Sequence, residues 1–428
     1  MTQGALAGIR VLEFSQIVAG PFAGIALSDF GADVVKVEPP EGEARRNSAA
    51  VVPNEGKYFQ SLNRGKRSLT VDLQSPAGIA LIHRLVSSFD VVLLNYRAGV
   101  AARLGIDYAT LSAINPAVIY ASITGFGDGG PFAERAGSDI VAKAYSGLMA
   151  SEAEIDEHGA PRQSGGTTVI DRASGLAAAM GICAALFHRL RTGEGQEINV
   201  SLLHTGLELL SNQVMREPVH DVTLRDPLLR QLQHRRAGGA RYDELAGIRR
   251  AQGPRFAAHR LFYGGYHTGE GAIVLGALTR QNRDVMRKII GSSDATDDPD
   301  FDAGEPLNRQ KMEVWREEIQ SRLLQKPAAQ WVEEFVRGGA PASVVNFPEE
   351  MADDPQVIAM GMMGDLVHPI TGPQRVVAPI VTMSKSATVL ARSAPSLGEH
   401  SRTILIGAGF SAEEVEALKA NGTITTVD

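Results

Sequence analysis

One cysteine, Cys183, stands among 428 residues. A single thiol closes no disulfide within the chain and builds no Cys-rich metal site. Its neighbours, Met180-Gly181-Ile182 and Ala184-Ala185-Leu186, are apolar, so it is expected as a buried structural thiol. Positive charge is also short. Lys and Arg number 42 against 49 Asp and Glu, a net charge of −7. That balance argues against nucleic acid or an anionic membrane as the main partner, since both reward a basic surface. The N-terminus lacks a basic start followed by an apolar block, so no signal peptide is expected there. The longest strongly apolar stretch, 175–187, is too short and too rich in small residues to span a bilayer. A cytoplasmic enzyme is the default expectation.

Several motifs are missing too. The first strand–helix turn reads Ser15-Gln16-Ile17-Val18-Ala19-Gly20-Pro21 and lacks G-x-G-x-x-G. Glu38 sits where a ribose reader would, but the turn has no glycines to let backbone approach a pyrophosphate. There is no P-loop, and no G-x-S-x-G follows a strand. The histidines are scattered, with no H-x-x-x-H pair, so no metal site is expected.

What is present alternates. Strands are predicted at 9–14, 33–38, 68–73, 90–95, 117–124 and 197–201. Helical patterns begin at Pro21 and cover 76–88, 99–113, 172–191 and 202–216. Proline at a first helical position supports the first of these. Such alternation predicts a doubly wound α/β domain with a parallel sheet, whose ligands bind at the carboxyl ends of the strands. With 428 residues, two domains are the prior. Composition shifts near residue 220. Residues 225–256 hold eight arginines against three acids and read as a linker or flexible lobe. A strand at 272–276 and helices at 281–290, 308–323 and 327–337 make a smaller α+β region. Ser411-Ala412-Glu413-Glu414 is a capping box opening a final helix.

Three constellations could carry chemistry. Gly125-Phe126-Gly127-Asp128-Gly129-Gly130 reads as a loop whose glycines adopt positive φ. Asn63-Arg64-Gly65-Lys66-Arg67-Ser68 puts three cations before a strand, either a solvated charge run or a phosphate cradle. Asp171 follows Gly165-Gly166-Thr167-Thr168-Val169-Ile170 and precedes an Ala-rich helix. Local chemistry favours a helix cap there. A helix N-terminus also stabilises negative charge, so an accessible nucleophilic carboxylate stays open.

Taken in order, these segments resemble the family III CoA-transferases, the group of formyl-CoA transferase and carnitine CoA-transferase. The landmarks are Gly8-Ile9-Arg10-Val11-Leu12-Glu13-Phe14 with Ala19-Gly20-Pro21; Gly31-Ala32-Asp33-Val34-Val35-Lys36-Val37-Glu38; the run 63–68; Ser138-Asp139-Ile140 with Ser146-Gly147-Leu148-Met149; Arg191-Thr192-Gly193-Glu194-Gly195-Gln196; and Leu397-Gly398-Glu399-His400. The resemblance spans nearly the whole chain. It implies a Rossmann-like large domain from both chain ends, 1–220 and 338–428, with an inserted small domain at 221–337 and two interlocked subunits. It implies that Asp171 is a nucleophile forming an aspartyl anhydride and then an aspartyl-CoA thioester. It places Val18, Ala19, Val71, Asp72, Leu73, Asn95, Tyr96, Arg97, Arg103, Ser138 and Asp139 along coenzyme A, which enters as part of the substrate. No metal or redox cofactor is implied.

The chain departs from formyl-CoA transferase in places. Pro39 replaces an arginine after the second strand. Ala136, beside Arg135, replaces a lysine. Only Gly264-Gly265-Tyr266 answers to the glycine-rich loop. These departures argue against formate or oxalate. The arginines at 225–256 raise a dicarboxylate such as succinate as donor or acceptor. Two rival readings remain: an α-methylacyl-CoA racemase, and a non-catalytic CoA-binding protein of the same fold. The racemase carries histidine in a Gly-His-Asp triplet, where this chain has Gly137-Ser138-Asp139, so two-base proton exchange lacks a partner.

Overall fold

A computed structural model describes residues 3–152, 154–163, 166–251 and 261–427. Contacts divide the chain into two compact units, Met1–Glu217 with Pro355–Asp428, and Pro218–Asp354.

The first unit is built on strands β1 Arg10–Glu13, β2 Asp33–Glu38, β3 Arg67–Thr70, β4 Val91–Leu94, β5 Ile119–Thr124 and β6 Gln196–Ser201. They form one sheet in the order β3-β2-β1-β4-β5-β6, parallel throughout. Order reverses between β1 and β4, the switch point where such sheets bind ligands beyond the strand ends. Helices α1 Ala19–Asp29, α2 Lys57–Asn63, α3 Pro76–Val86, α4 Val100–Arg103, α5 Tyr108–Ile114, α6 Asp139–Ser146, α7 Leu148–Glu152, α8 Val169–Thr192 and α9 Leu202–Glu208 complete the first part of the unit.

Strand periodicity feeds two cores. Leu12, Val35, Leu69 and Val92 pack against α3 and against Ile404, Leu405 and Val415 from the C-terminal return. Their neighbours Val11, Val34, Val91, Leu93 and Ile119 pack against α1 and α8 on the opposite face. Burial on both faces explains why β4 reads as an unbroken apolar run. The chain ends are stitched to β3: Asp72 N–H donates to Thr423 carbonyl, and Gly398 N–H donates to Ser68 Oγ at 3.0 Å.

Several boundaries move. Helix α1 starts at Ala19, two residues before Pro21. The helix expected at 99–113 breaks at Gly105, which holds φ +63°, and restarts with Asp107 capping Thr110 N–H at 3.1 Å. Helix α8 reaches three residues further back than expected, to Val169. It is long and apolar enough to cross a membrane, yet half of its apolar window is buried in this fold. Gly175 makes that packing close, because a Cβ there would lie 2.5 Å from Ala19 carbonyl on α1. Cys183 is half-buried beside this core rather than fully enclosed.

The second unit carries an antiparallel sheet of β7 Tyr263–His267, β8 Ala272–Gly276 and β9 Ala342–Val344. Ile273 and Leu275 meet Met286, Ile319, Trp331 and Phe335 from the helices Arg280–Ile290, Pro306–Leu323 and Ala328–Arg337. Because β9 pairs with β8, residues 338–354 belong with this unit and not with the larger one. The Arg-rich segment is helical rather than a linker, with helices Asp226–Ala237 and Tyr242–Ala251. Its charges partly neutralise each other: Arg235 reaches Glu244 at 3.0 Å and Arg241 reaches Asp243 at 3.3 Å. Residues 252–256 of that segment lie outside the described residues. Gly264, Gly265 and Tyr266 sit in β7, so they form a strand and not a gating loop.

Candidate active site

At the switch point, Asn95 follows β4 and clasps the loop after β1. Its Oδ1 accepts Gln16 N–H at 2.8 Å and its Nδ2 donates to Gln16 carbonyl at 2.7 Å. The next residue, Ile17, holds φ +71°, a conformation that a β-branched side chain adopts only under constraint. Glu43 supplies a second constraint by accepting Ile17 N–H at 3.3 Å. The loop is thus pinned from two sides before α1 begins.

Beneath it lies a sealed charge cluster. Glu13, Lys36, Glu38, Glu43, Arg46 and Lys66 are all nearly or wholly inaccessible. Lys66 Nζ donates to Glu13 Oε1, Pro21 carbonyl and Asn63 Oδ1, each at 2.9 Å. Lys36 Nζ donates to Ser15 carbonyl at 2.8 Å and to Glu43 at 3.2 Å. Arg46 takes both oxygens of Glu38 at 2.7 Å. Burial works against the Lys36 charge, yet Glu43, Glu13 and Glu38 together hold its pKa above the usual lysine value. Lys66 is less fully compensated, and burial pulls it down to about 8. Glu38 is therefore closed to a ribose. Gly24 on α1 also serves this cluster, since a Cβ there would lie 1.9 Å from Glu13 Oε2.

The basic run 63–68 is neither a phosphate cradle nor a solvated face. Lys66 belongs to the sealed cluster, Arg64 pairs with Asp29, and Arg67 Nε donates to Asp33 at 2.8 Å. Each cation is spent on an internal acid before any ligand arrives.

Asp171 presents a different environment. It lies in the first turn of α8 behind the cap position, Thr168, and its own carboxylate does not cap the helix. Asp139 performs that task from α6. Its Oδ1 accepts Ile170 N–H at 2.9 Å and Asp171 N–H at 3.1 Å. Lys143 stands 3.6 Å from the other Asp139 oxygen. Asp139 is positioned through a glycine pair: Gly125 and Gly137 pack so closely that a Cβ on Gly137 would lie 2.4 Å from Gly125 Cα. The helix terminus that could have steadied Asp171 as an anion is thus occupied by another carboxylate. Burial, and then the Asp139 charge, push the Asp171 pKa up to about 7, while Arg45 and Arg172 pull the other way. A carboxyl poised there is one that changes protonation in the physiological range.

The other sequence-singled positions divide by burial. Val18 and Ala19 are buried at the start of α1, so only their backbone can face a ligand. Val71 is core, Leu73 packs against that core, and Asp72 Oδ1 accepts Gln74 N–H at 2.9 Å. Asn95 is committed to its clasp. Tyr96 is half-buried, and burial lifts its hydroxyl pKa to about 12. Arg97, Arg103 and Ser138 are exposed. The clasp brings Val18 and Ala19 together with 95–97. Asp139 joins Asp171 instead, through the α8 N-terminus. Gly165 lies outside the described residues, and Gly166 is exposed. Sequence reasoning missed Arg45 and Glu43 because 39–56 holds only a short 3-10 turn, Ala44–Arg46, and no periodic signal, and it gave Lys36, in β2, no role beyond the strand. The acid–base alternation of Glu41, Glu43, Arg45 and Arg46 was the one available hint.

Comparison with known proteins decides the class. The sequence profile of CoA-transferase family III matches residues 6–401. This chain belongs to family III of the CoA-transferases. The transferase is 34% identical over 409 residues to a succinate–glutarate CoA-transferase of Agrobacterium fabrum, with 94% of each chain covered. It is 31% identical over 435 residues to a formyl-CoA:oxalate CoA-transferase of Streptomyces avermitilis, covering 98% of this chain and 99% of that one. A crystal structure of a CAIB/BAIF family protein from Brucella suis superposes with a TM-score of 0.73 at 30% identity. It covers 95% of the transferase and all of that chain.

Proposed function

We propose that this transferase moves coenzyme A between short dicarboxylic acids such as succinate, with Asp171 as the nucleophile. The carrying observation is the setting of Asp171: a buried carboxyl in a helix first turn, repelled by Asp139 and in the field of two arginines. Raised basicity strengthens a carboxylate as a nucleophile, and near neutral pH much of it stays ionised. The Agrobacterium relative's name supports the dicarboxylate reading.

The proposed steps balance without any oxidant. An Asp171 oxygen attacks the thioester carbonyl of the donor acyl-CoA. The C–S bond breaks, leaving a mixed anhydride and CoA thiolate. The thiolate attacks the aspartyl carbonyl, expelling the donor carboxylate and leaving an aspartyl-CoA thioester. An acceptor carboxylate attacks that carbonyl and again expels thiolate, which then takes the acceptor acyl carbon and frees Asp171. Each tetrahedral intermediate needs N–H donors. The amides of Ile170 and Asp171 are taken by Asp139, so those donors come from elsewhere. The pinned loop at 16–19 and the residues 95–97 supply the backbone and polar edges proposed for coenzyme A. Val71–Leu73, Arg103 and Ser138 complete the expected path. We further propose a homodimer. Leu176, Met180, Phe187 and Leu190 lie exposed along one side of α8, and apolar stripes of that kind mark interfaces.

The deciding experiment is trapping. Incubation with succinyl-CoA, then hydroxylamine, then digestion and mass spectrometry is expected to show Asp171 as its hydroxamate. Turnover with an unmodified Asp171 overturns the mechanism.

A further inference from the structure

Arg45 and Arg172 are the cations in the field of the Asp171 carboxyl. Neither forms an ion pair with a carboxylate among the described residues. Each instead lies over an aromatic face, Arg45 at 4.9 Å from the centre of the Tyr58 ring and Arg172 at 4.9 Å from that of Phe22. Those two rings share a base, because Phe22 and Tyr58 both pack on Val18, Ile25 and Leu62. The close approach of α1 and α8 at Gly175 sets Arg172, one turn earlier on α8, above Phe22, one turn past Ala19 on α1. Arg45 is half-buried, and its Nε is buried with no hydrogen-bond partner.

The neighbouring Arg46 shows what this chain does with a structural arginine. Both its arms rest on Glu38, and a third bond goes to Pro395 carbonyl at 3.2 Å. Arg45 has no such partner, although burying an unpaired donor costs stability. A guanidinium lying over a ring can leave its terminal N–H groups free for a carboxylate to take in two-point fashion. Two such cations in the field of one nucleophilic carboxyl are more than a monocarboxylic acyl group needs. Once one end of a diacid is an acyl group on Asp171, its other end stays charged and requires a cation.

We propose that Arg45 and Arg172 are the specificity residues that bind the distal carboxylate of a short dicarboxylic acid while its other end reacts. The proposal rests on Asp171 being the nucleophile. Phosphate groups of coenzyme A share the same anionic chemistry, and the test separates the two sources.

Succinyl-CoA and butyryl-CoA are compared as donors with one acceptor at one fixed concentration. The pair differs only in the distal carboxylate. Arg45→Gln and Arg172→Gln are each expected to lower the succinyl-to-butyryl ratio by about tenfold or more, mainly through KM. Any change they cause at Asp171 is common to both donors and cancels in the ratio. Arg45→Lys and Arg172→Lys keep charge and bulk, guard against misfolding, and are expected to give an intermediate ratio, because the two-point fork is lost. A ratio unchanged within about twofold in the glutamine variants, with both donors slowed together, assigns the arginines to coenzyme A phosphates or to Asp171 and overturns the proposal. An unsubstituted enzyme with no preference for succinyl-CoA overturns it as well. Hydroxylamine trapping on the unsubstituted enzyme separates the two failures. A labelled Asp171 with an unchanged ratio removes only the distal site, whereas an unlabelled Asp171 removes the nucleophile and this proposal with it.

Discussion

Two groups of charges occupy the first unit, and they are built differently. The cluster of Glu13, Lys36, Glu38, Glu43, Arg46 and Lys66 is balanced, three acids against three bases, and every member is ion-paired, although Glu13 Oε2 and Glu43 Oε1 have no hydrogen bond. The group around Asp171 is unevenly paired. Asp139 spends its Oδ1 on two backbone amides, its other oxygen has no hydrogen bond, and two arginines stay open. A buried cluster in which every charge has a partner acts as scaffold, even where burial pulls one member, Lys66, down to about 8. An unbalanced one leaves a carboxyl with a shifted pKa, which is the condition for chemistry. Burial alone does not separate them, since Asp171 at 9% exposure is nearly as enclosed as Glu38 at 2%. Partnering does.

The largest effect is expected from breaking the balanced cluster. Lys66→Met leaves Glu13 buried without its nearest cation and is expected to destabilise the fold by about 3–5 kcal/mol. Urea melts check this. A loss below about 1 kcal/mol would mean the cluster is not sealed in solution.

The unbalanced group predicts the opposite sign. Folding raises the Asp171 pKa to about 7 from an unfolded value near 4. Between those values the folded chain binds more protons than the unfolded one. Stability therefore falls as pH rises from about 4 to about 7, and the loss persists above that window. Asp171→Asn removes the charge, so it is expected to stabilise the free protein at pH 8 by on the order of 2 kcal/mol. The gain should shrink toward pH 4, where both side chains are neutral. Thermal melts at pH 4 and pH 8 read the difference, and equal gains at both would show that charge is not its cause.

The smallest expected effect sharpens the contrast within the site. Asp139→Asn keeps an oxygen for the Ile170 and Asp171 amides but removes the repulsion. The acid limb of kcat/KM against pH should then move down by about one unit from its midpoint near 7. An unmoved limb with unimpaired folding would assign the raised pKa to burial alone.

Much of the scaffold was legible in the sequence because a parallel doubly wound sheet repeats one local pattern. Alternating apolar strands and amphipathic helices recur through 9–124, and each strand was placed within about three residues. The errors share a cause. The run 63–68 looks the same whether solvated or sealed, and only Asp29, Glu13 and Asp33 decide. The arginines at 225–251 looked like a loose segment because net charge hides the i,i+9 and i,i+2 pairs that partly neutralise them.

Asp171 carries the same division. From sequence alone came the carboxylate, its place beside an Ala-rich helix, the ordered family landmarks around it, and hence the class of reaction. What the tertiary structure decided is its electrostatic state. The expected arrangement had the helix terminus keeping Asp171 ionised; in the fold Asp139, 32 residues earlier, holds that terminus, and Asp171 is left repelled and basic. Charge and helical period are written locally in a chain. The partner a buried charge finds depends on which distant residues the fold brings within a few ångströms, and that pairing sets its energy.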